Sequence, residues 1–141
     1  MPPGQIQLEV VTPARRVLSA LVDSVEIPGK DGYLGILPGH APLLTELGIG
    51  ALSYVQSGQT HYLTVIEGFA EVLSERVIVL AEVSERSDEI DRARAVEAAK
   101  RAQERLAKSG STEVDWQRAE VSLQRAITRQ EVAGKSSGAR H

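Results

Sequence analysis

The chain changes character within residues 77–108, which read VIVLAEVSERSDEIDRARAVEAAKRAQERLAK. The run from Val77 to Leu80 consists of β-branched and aliphatic residues, which is typical of a strand. From Asp88 to Lys108 glycine and proline are absent and alanine is frequent, so intrinsic helix propensity is high. The sequence therefore predicts that a β module ends and a helical module begins between these two segments.

Composition divides at the same place. All six prolines, nine of the twelve glycines and four of the five aromatic residues lie before residue 87 of the 141-residue chain. Residues 1–86 carry five Lys/Arg against ten Asp/Glu, whereas residues 87–141 carry eleven against nine. We therefore predict a β module at 1–86, a helical hairpin at 87–134 and a flexible tail at 135–141.

The first module has the pattern of an all-β domain. Ile6, Leu8 and Val10 alternate with polar residues over 5–10, which predicts a half-buried strand. Short apolar runs bounded by turn residues follow at 24–27, 33–37, 51–55, 62–66, 69–73 and 77–80. Because no helix-length segment separates these runs, the pattern favours an antiparallel sandwich or barrel over a parallel α/β sheet.

The second module has the pattern of two helices joined by a short turn. Ser109-Gly110 is a typical helix stop, and Thr112 with Asp115 resembles a capping box that starts a second helix, ending near Val132. A connection this short makes the two helices antiparallel neighbours.

The apolar stripes of this hairpin are narrow and rich in alanine. They comprise Ala95, Ala98, Ala99, Ala102 and Leu106 on the first helix, and Trp116, Ala119, Leu123, Ala126 and Ile127 on the second. Alanine buries little area, and burial contributes only ~25 cal/mol per Å2. The sequence thus predicts that the two helices pack weakly against each other and that the hairpin can detach from the β module.

Several function classes are disfavoured by what the sequence lacks. Without cysteine there is no thiol catalysis, disulfide or cysteine zinc site, and a net charge of −3 argues against a nucleic-acid binder. There is no bilayer-length apolar run and no secretory signal, which predicts a soluble protein without direct membrane insertion. The histidines (His40, His61 and His141) match no metal or nucleophile motif, so we expect no catalytic residue, no metal site and no required cofactor.

Arginines form one constellation of interest. Arg94 and Arg101 share a helix face, and Arg125 and Arg129 are four residues apart on the second helix. If the hairpin turns at Gly110, the second pair lies level with about residues 95 and 91. Converging guanidinium groups suit phosphate or carboxylate. A solvated charged face with ion pairs is the alternative, and it is the more common outcome of such a pattern.

A second constellation is the segment 32–42, GYLGILPGHAP, which is dense in glycine and proline. One interpretation is a rigid surface loop that presents Tyr33, Leu34, Leu37 and His40 to a partner. The alternative is a pair of tight turns.

This segment, followed by Ile90-Asp91-Arg92-Ala93-Arg94-Ala95, resembles the epsilon subunit of bacterial F-type ATP synthases. Glu113-Val114-Asp115-Trp116 is similar to the start of that family's second helix, and the likeness runs from about Gln5 to Ala133. The resemblance implies a ten-stranded sandwich followed by a two-helix domain.

The resemblance also implies a non-catalytic place in the central stalk, peripheral on the cytoplasmic face of the bacterial inner membrane. The β module would contact the gamma subunit and the c-ring while the stalk couples proton flow to ATP synthesis. The hairpin, when extended, would reach the catalytic alpha/beta head and block ATP hydrolysis. The contact loop for gamma and the c-ring would comprise Asp31, Gly32, Tyr33, Leu34, Leu37, Pro38 and His40.

Some members of that family bind ATP as a regulatory ligand through an Ile/Leu-Asp-x-x-Arg-Ala motif. The matching residues here, with the family's other nucleotide contacts in the same register, are Glu85, Ile90, Asp91, Arg94, Ala95, Arg101, Arg125 and Arg129. A free-standing ATP-binding sensor is the alternative function, and an unrelated hydrolase using His40 is a third interpretation.

Overall fold

The computed structural model describes residues 4–108 and 113–135, with the side chains of residues 113 and 114 left out of the description. The strands are β1 Ile6–Val11, β2 Arg16–Val22, β3 Ser24–Gly29, β4 Gly32–Ile36, β5 Leu43–Gln56, β6 Gln59–Val72 and β7 Arg76–Val83. A 3-10 turn at Ser87–Glu89 leads into helices α1 Arg92–Lys108 and α2 Glu113–Ala133.

The seven strands form one sheet in the order β2-β1-β7-β6-β5-β3-β4. In a flat sheet β2 and β5 would lie ~19 Å apart, since neighbouring strands are ~4.8 Å apart. Instead the side-chain amide of Gln56 on β5 donates to the carbonyl oxygen of Leu21 on β2 at 2.9 Å. The sheet therefore folds over on itself into two layers, which confirms the predicted β-sandwich.

One hydrophobic core lies between the layers. The residues that are almost entirely buried there come from both ends of the sheet and are mostly large aliphatic side chains. They include Ile6, Leu8, Val10, Val22, Ile27, Ile36, Leu47, Leu52, Leu63, Val65, Val72, Val77 and Val79.

The strand count of ten that the family resemblance implies is not found, since the structure has seven strands, and two of these are longer than the sequence pattern predicted. Gly48 and Gly50 lie inside the 14-residue β5 instead of ending it, and Glu67-Gly68 lies inside the equally long β6. Glu67 (φ 57°) and Gly68 (φ 147°) absorb the distortion without a shift in the pairing register with β5. The sheet is also not wholly antiparallel, since β1 pairs parallel with β7.

Strand β2 was missed because its sequence, RVLSALV, does not alternate cleanly between apolar and polar residues. It is an edge strand of the sheet and pairs antiparallel with β1. A strand that pairs on one side only need not follow the pattern of the central strands.

The first helix begins later than its composition suggested. Residues 87–89 form a 3-10 turn, Ile90 is extended, and α1 starts at Arg92 rather than Asp88. Asp91 sets this boundary because its carboxylate accepts a hydrogen bond from the backbone N–H of Arg94 at 3.1 Å, an N-cap. The predicted stop at 109–110, the capping box residue at 112 and the tail from residue 136 lie outside the described residues.

Helix α2 packs against α1 and also against β5 and β6. Ala119 and Ala126 are buried on one side of α2. The helical period places Thr128 and Val132, also buried, on a second face about 150° away.

Two of the predicted stripe residues are exposed, and Ala98, Leu106 and Leu123 are only partly buried. Trp116 is 44% exposed and Ile127 is 41% exposed. On the surface of α2 both lie between the face of the buried alanines and the face that packs on the sheet, so neither packing contact covers them. Neither α1 nor α2, within its described residues, has the length and apolarity to cross a membrane.

Candidate functional site

A cavity of about 410 Å3 lies where the linker after β7 meets the two helices. It is lined by Glu85, Glu89, Ile90, Asp91, Arg94, Ala95, Ala98, Arg101, Ala126 and Arg129. Seven of the eight residues singled out from the sequence as nucleotide contacts therefore surround one space.

The eighth residue, Arg125, does not line the cavity. Its Nη2 atom lies 3.8 Å from Oε1 of Glu67 on β6. The assumed hairpin register brought Arg125 level with the start of α1, but α2 directs this side chain toward the sheet.

The local fold explains how the arginines of α1 reach the cavity. Extended backbone at Ile90 and the cap at Asp91 start the helix at the cavity wall. Arg94 and Arg101 are seven residues, or about two turns, apart and so lie on one side of α1. Both line the cavity, and neither guanidinium forms an ion pair with any carboxylate among the described residues.

Glu85 is held by partners from two other elements. One of its carboxylate oxygens accepts hydrogen bonds from Arg129 Nε of α2 at 2.9 Å and from Thr64 Oγ1 of β6 at 3.0 Å. The Glu85 backbone N–H in turn donates to Thr64 Oγ1 at 2.9 Å, and Thr64 is fully buried. Its negative charge is thus already compensated within the protein.

Glu89 is compensated in the same way by a residue distant in sequence. Arg15, in the turn between β1 and β2, donates from Nη1 to Oε2 at 2.7 Å and from Nη2 to Oε1 at 2.9 Å. The backbone N–H of Arg86 also donates to Oε1 at 2.8 Å. The hydrogen bond from Arg15, helped by that from Arg86, lowers the pKa of Glu89 from its ordinary 4.5 to about 2.

The cavity therefore combines two compensated carboxylates with the two unpaired guanidinium groups of Arg94 and Arg101. The remaining negative charge of the cavity is that of the Asp91 carboxylate, which also caps α1. This excess of positive charge, presented by planar donors, suits a phosphate-bearing or carboxylate ligand. Within residues 4–108 and 113–135, no group of three histidine or carboxylate side chains is placed to hold a metal ion.

Sequence reasoning missed Glu89, Ala98 and Ala126 as lining residues, and Arg15 as the partner of Glu89. The two alanines follow from helix periodicity once the register of the hairpin is known. The Arg15–Glu89 pair joins residues 74 positions apart, and no local pattern marks such a contact.

The predicted partner-contact loop lies elsewhere on the sandwich. Asp31, Gly32, Tyr33 and Leu34 line a separate cavity of about 390 Å3 at the β3–β4 turn. The Tyr33 hydroxyl accepts a hydrogen bond from the backbone N–H of Ala51 at 3.1 Å, which anchors this turn to β5.

The rest of that loop follows β4 and does not line the cavity. Leu37 is 65% exposed, Pro38 and His40 are half-buried, and His40 Nδ1 lies 2.7 Å from the carbonyl oxygen of Ala41. The backbone N–H of Gly39 donates to the Ser74 carbonyl at 2.8 Å and ties the loop to the β6–β7 turn.

Curated relatives match about three quarters or more of the chain. An ATP synthase epsilon chain of Koribacter versatilis is 57% identical over 74% of this chain and 73% of its own length. Those of Nitratidesulfovibrio vulgaris and Trichlorobacter lovleyi are 47% and 45% identical. They cover 93% and 94% of this chain and 97% and 96% of their own lengths.

Solved structures share the fold at lower identity. A subunit in the Euglena gracilis mitochondrial ATP synthase OSCP/F1/c-ring assembly has a TM-score of 0.80 and 23% identity, over 96% of this chain and 84% of that one. A chain of the Tetrahymena thermophila mitochondrial ATP synthase central stalk and c-ring has a TM-score of 0.59 and 12% identity, over 94% and 99%.

Family models account for both modules. The ATP synthase delta/epsilon chain β-sandwich domain matches residues 5–87, and the ATP synthase delta/epsilon chain long α-helix domain matches residues 88–134. The chain therefore belongs to the delta/epsilon family of ATP synthase subunits, among the epsilon chains.

Proposed function

We propose that this epsilon chain is a non-catalytic subunit of the central stalk that restrains ATP hydrolysis through its hairpin. In this proposal the sandwich contacts the gamma subunit and the c-ring on the cytoplasmic side of the membrane. The hairpin alternates between the docked arrangement and one extended toward the catalytic head. Support comes from the epsilon chains among the relatives and from the way the hairpin is docked.

The observation that carries the proposal is the polar contact that α2 and residue 135 make with the sheet and with the linker after β7. It contains the Arg129–Glu85 pair at 2.9 Å and the Arg125–Glu67 pair at 3.8 Å, both partly exposed. Lys135 Nζ also lies 4.6 Å from the centre of the Tyr62 ring, a cation–π contact. Polar contacts of this kind contribute little net free energy and can be remade in water, which suits an element that detaches.

ATP fits this scheme as a ligand of the docked state. The cavity takes Ile90 and Arg94 from the start of the hairpin, Arg129 from its second helix and Glu85 from the linker. Only the docked hairpin brings these residues together. A ligand that binds one of two states shifts the population toward that state, so ATP would hold the hairpin down and relieve inhibition.

The inhibitory role is tested by deleting residues 88–141 and reassembling the ATP synthase with the truncated chain. ATP hydrolysis should rise relative to the enzyme with the full chain, because the element that extends to the head is gone. Assembly with the gamma subunit should remain, since the sandwich is intact. Unchanged hydrolysis in a fully assembled enzyme would refute the inhibitory role.

ATP binding is tested by calorimetric titration of the full chain. Arg94→Ala should abolish measurable binding, because its unpaired guanidinium lines the cavity. Arg118→Ala, an exposed α2 arginine without an ion pair among the described residues, is the matched control and should bind as the unsubstituted chain does. A flat titration of the unsubstituted chain at millimolar ATP would remove the nucleotide role.

Arg125→Ala separates the position of this side chain in the docked structure from the role implied by the family resemblance. With Arg125 turned to Glu67, the substitution should weaken ATP binding less than Arg94→Ala does. A free-standing ATP sensor, the second candidate function, would show the same binding but would not copurify with the other synthase subunits.

A further inference from the structure

The turn between β1 and β2 reaches across to the linker that precedes the hairpin. Thr12 and Arg15 close this turn with mutual backbone and side-chain hydrogen bonds. From it, Arg15 makes its bidentate contact to Glu89 and a longer one, Nη2 to the Ser84 carbonyl at 3.5 Å. A bidentate guanidinium–carboxylate pair fixes orientation as well as charge.

Arg15 lies outside the cavity, whereas Glu89 lines it. A carboxylate in the wall of an anion-binding cavity repels the ligand unless its charge is compensated. The geometry gives Glu89 such a compensating partner on the side away from the ligand, and that partner belongs to the sandwich.

Arg86 does not replace Arg15 in this role. Its Nη2 lies 3.7 Å from Glu89, its Nε lies 3.7 Å from Asp88, and its Nη1 donates to the Val17 carbonyl at 3.4 Å. Its charge is shared among several acceptors at longer distances. The short, two-pronged contact to Glu89 comes from Arg15 alone among the described residues.

We propose that Arg15 is a positioning residue of the nucleotide site. From outside the cavity it neutralises the charge of Glu89, and this lets the cavity lined by Arg94 and Arg101 accept the phosphates of ATP. This inference rests on the proposed ATP-binding function and extends it to the sandwich. The charge of Glu89 in the cavity wall is neutralised only while the linker contacts the β1–β2 turn. ATP affinity therefore depends on the contact between the linker and the β1–β2 turn as well as on the position of the hairpin.

The experiment is a double-mutant cycle on the full chain, with ATP affinity measured by calorimetry. Arg15→Ala should raise the Kd for ATP about tenfold, because it leaves an uncompensated carboxylate facing the phosphates. In the Glu89→Gln background, where no such charge remains, Arg15→Ala should change the Kd by less than about threefold.

The matched control is Arg16→Ala, which removes the same charge one residue away. Arg16 is exposed and forms no ion pair among the described residues. The Kd of this variant for ATP should stay within about twofold of that of the unsubstituted chain, since Arg16 is exposed to solvent and does not line the cavity. Arg15→Lys keeps the charge without the two-pronged geometry and should give an intermediate Kd.

Several outcomes would overturn the inference. An equal loss of affinity from Arg15→Ala in both backgrounds would mean that Arg15 acts on the fold of the linker rather than through the charge of Glu89. Equal Kd values for Arg15→Ala and Arg16→Ala would mean that it has no specific role. If the unsubstituted chain fails to bind ATP, the proposed nucleotide role falls together with this inference, whereas failure of the cycle alone leaves that role standing.

Discussion

The sandwich and the hairpin bury very different side chains. The core between the two layers of the sheet is made of large aliphatic residues such as Leu8, Leu52 and Leu63, each at most 1% exposed. The buried residues of α1 are Ala95, Ala99 and Ala102. Burying a leucine contributes ~1.5–3 kcal/mol, whereas an alanine methyl group contributes ~0.8 kcal/mol.

This difference separates the two halves energetically. The sandwich has a core made of its own strands, so we expect it to fold without the helices. The hairpin has no such core, so its docked arrangement depends on α2 meeting the sheet through Thr128, Val132 and two partly exposed ion pairs. Exposed pairs contribute about 0–1 kcal/mol each, which supports the proposal that the docked and undocked states lie close in free energy.

The largest expected effect comes from emptying part of the sandwich core. Leu52→Ala should lower the free energy of unfolding by about 2–5 kcal/mol, because it removes buried methyl groups and leaves a cavity. Urea denaturation followed by circular dichroism measures this loss. A loss below about 1 kcal/mol would show that the sandwich is not the stable half.

A second large effect is expected where β6 distorts. Gly68 has φ 147°, and a Cβ there would collide with the Leu80 carbonyl oxygen. Gly68→Ala should therefore cost more than ~2 kcal/mol through strain and lost β6–β7 pairing. Gly35→Ala is the matched control, because a Cβ at Gly35 meets no atom within 4 Å and φ is ordinary. Similar thermal stabilities for the two variants would contradict the expectation.

Glycines such as Gly68 also explain why some strand boundaries could not be predicted from the sequence. Apolar alternation predicted β1, and short apolar runs bounded by turn residues predicted β3, β4 and β7. A glycine between apolar runs predicts a break, yet Gly48, Gly50 and Gly68 lie within β5 and β6. A glycine inside a strand permits a local distortion or a close approach, and local sequence does not distinguish this from a turn. Gly50 is such a case, because a Cβ there would meet the Tyr33 hydroxyl at 2.5 Å.

The candidate site divides in a similar way. Helix periodicity placed Arg94 and Arg101 on one face of α1. The family resemblance alone predicted the others in the linker and in α1, which are Glu85, Ile90, Asp91 and Ala95. Arg125 was placed in the site from an idealised hairpin register that took no account of how α2 lies on the sheet. Arg15 could not be found at all, since its contact with Glu89 depends on the path of a turn in another module.

A smaller effect is expected from overpacking the hairpin. Ala102 is fully buried on α1, and a leucine side chain there would push the two helices apart. Ala102→Leu should cost about 1–3 kcal/mol and appear as faster amide exchange in α1 and α2, with the sheet unchanged. Ala107→Leu, at an exposed position of α1, is the matched control. Equal loss of protection in the sheet and in the helices would mean that the two halves unfold as one unit.

The smallest expected effect is the pH dependence of the contact between the sandwich and the linker. The pKa of Glu89 is lowered to about 2 in the folded protein by its hydrogen bond from Arg15, against an ordinary value of 4.5. A lowered pKa means that this carboxylate stabilises the docked linker fully above about pH 4.5. Its contribution is lost progressively as the pH falls toward 2.

Amide exchange of residues 87–95, compared between the unsubstituted chain and Glu89→Gln, isolates this contribution, because other carboxylates titrate in both proteins. At pH 6 the unsubstituted chain should be better protected, since only its charged carboxylate holds Arg15 in a bidentate pair. The difference should shrink between pH 4.5 and 2, and its direction should not reverse. A difference that stays constant over this range would show that Glu89 acts by shape rather than charge. The contact between the sandwich and the linker would then not be electrostatic at this point.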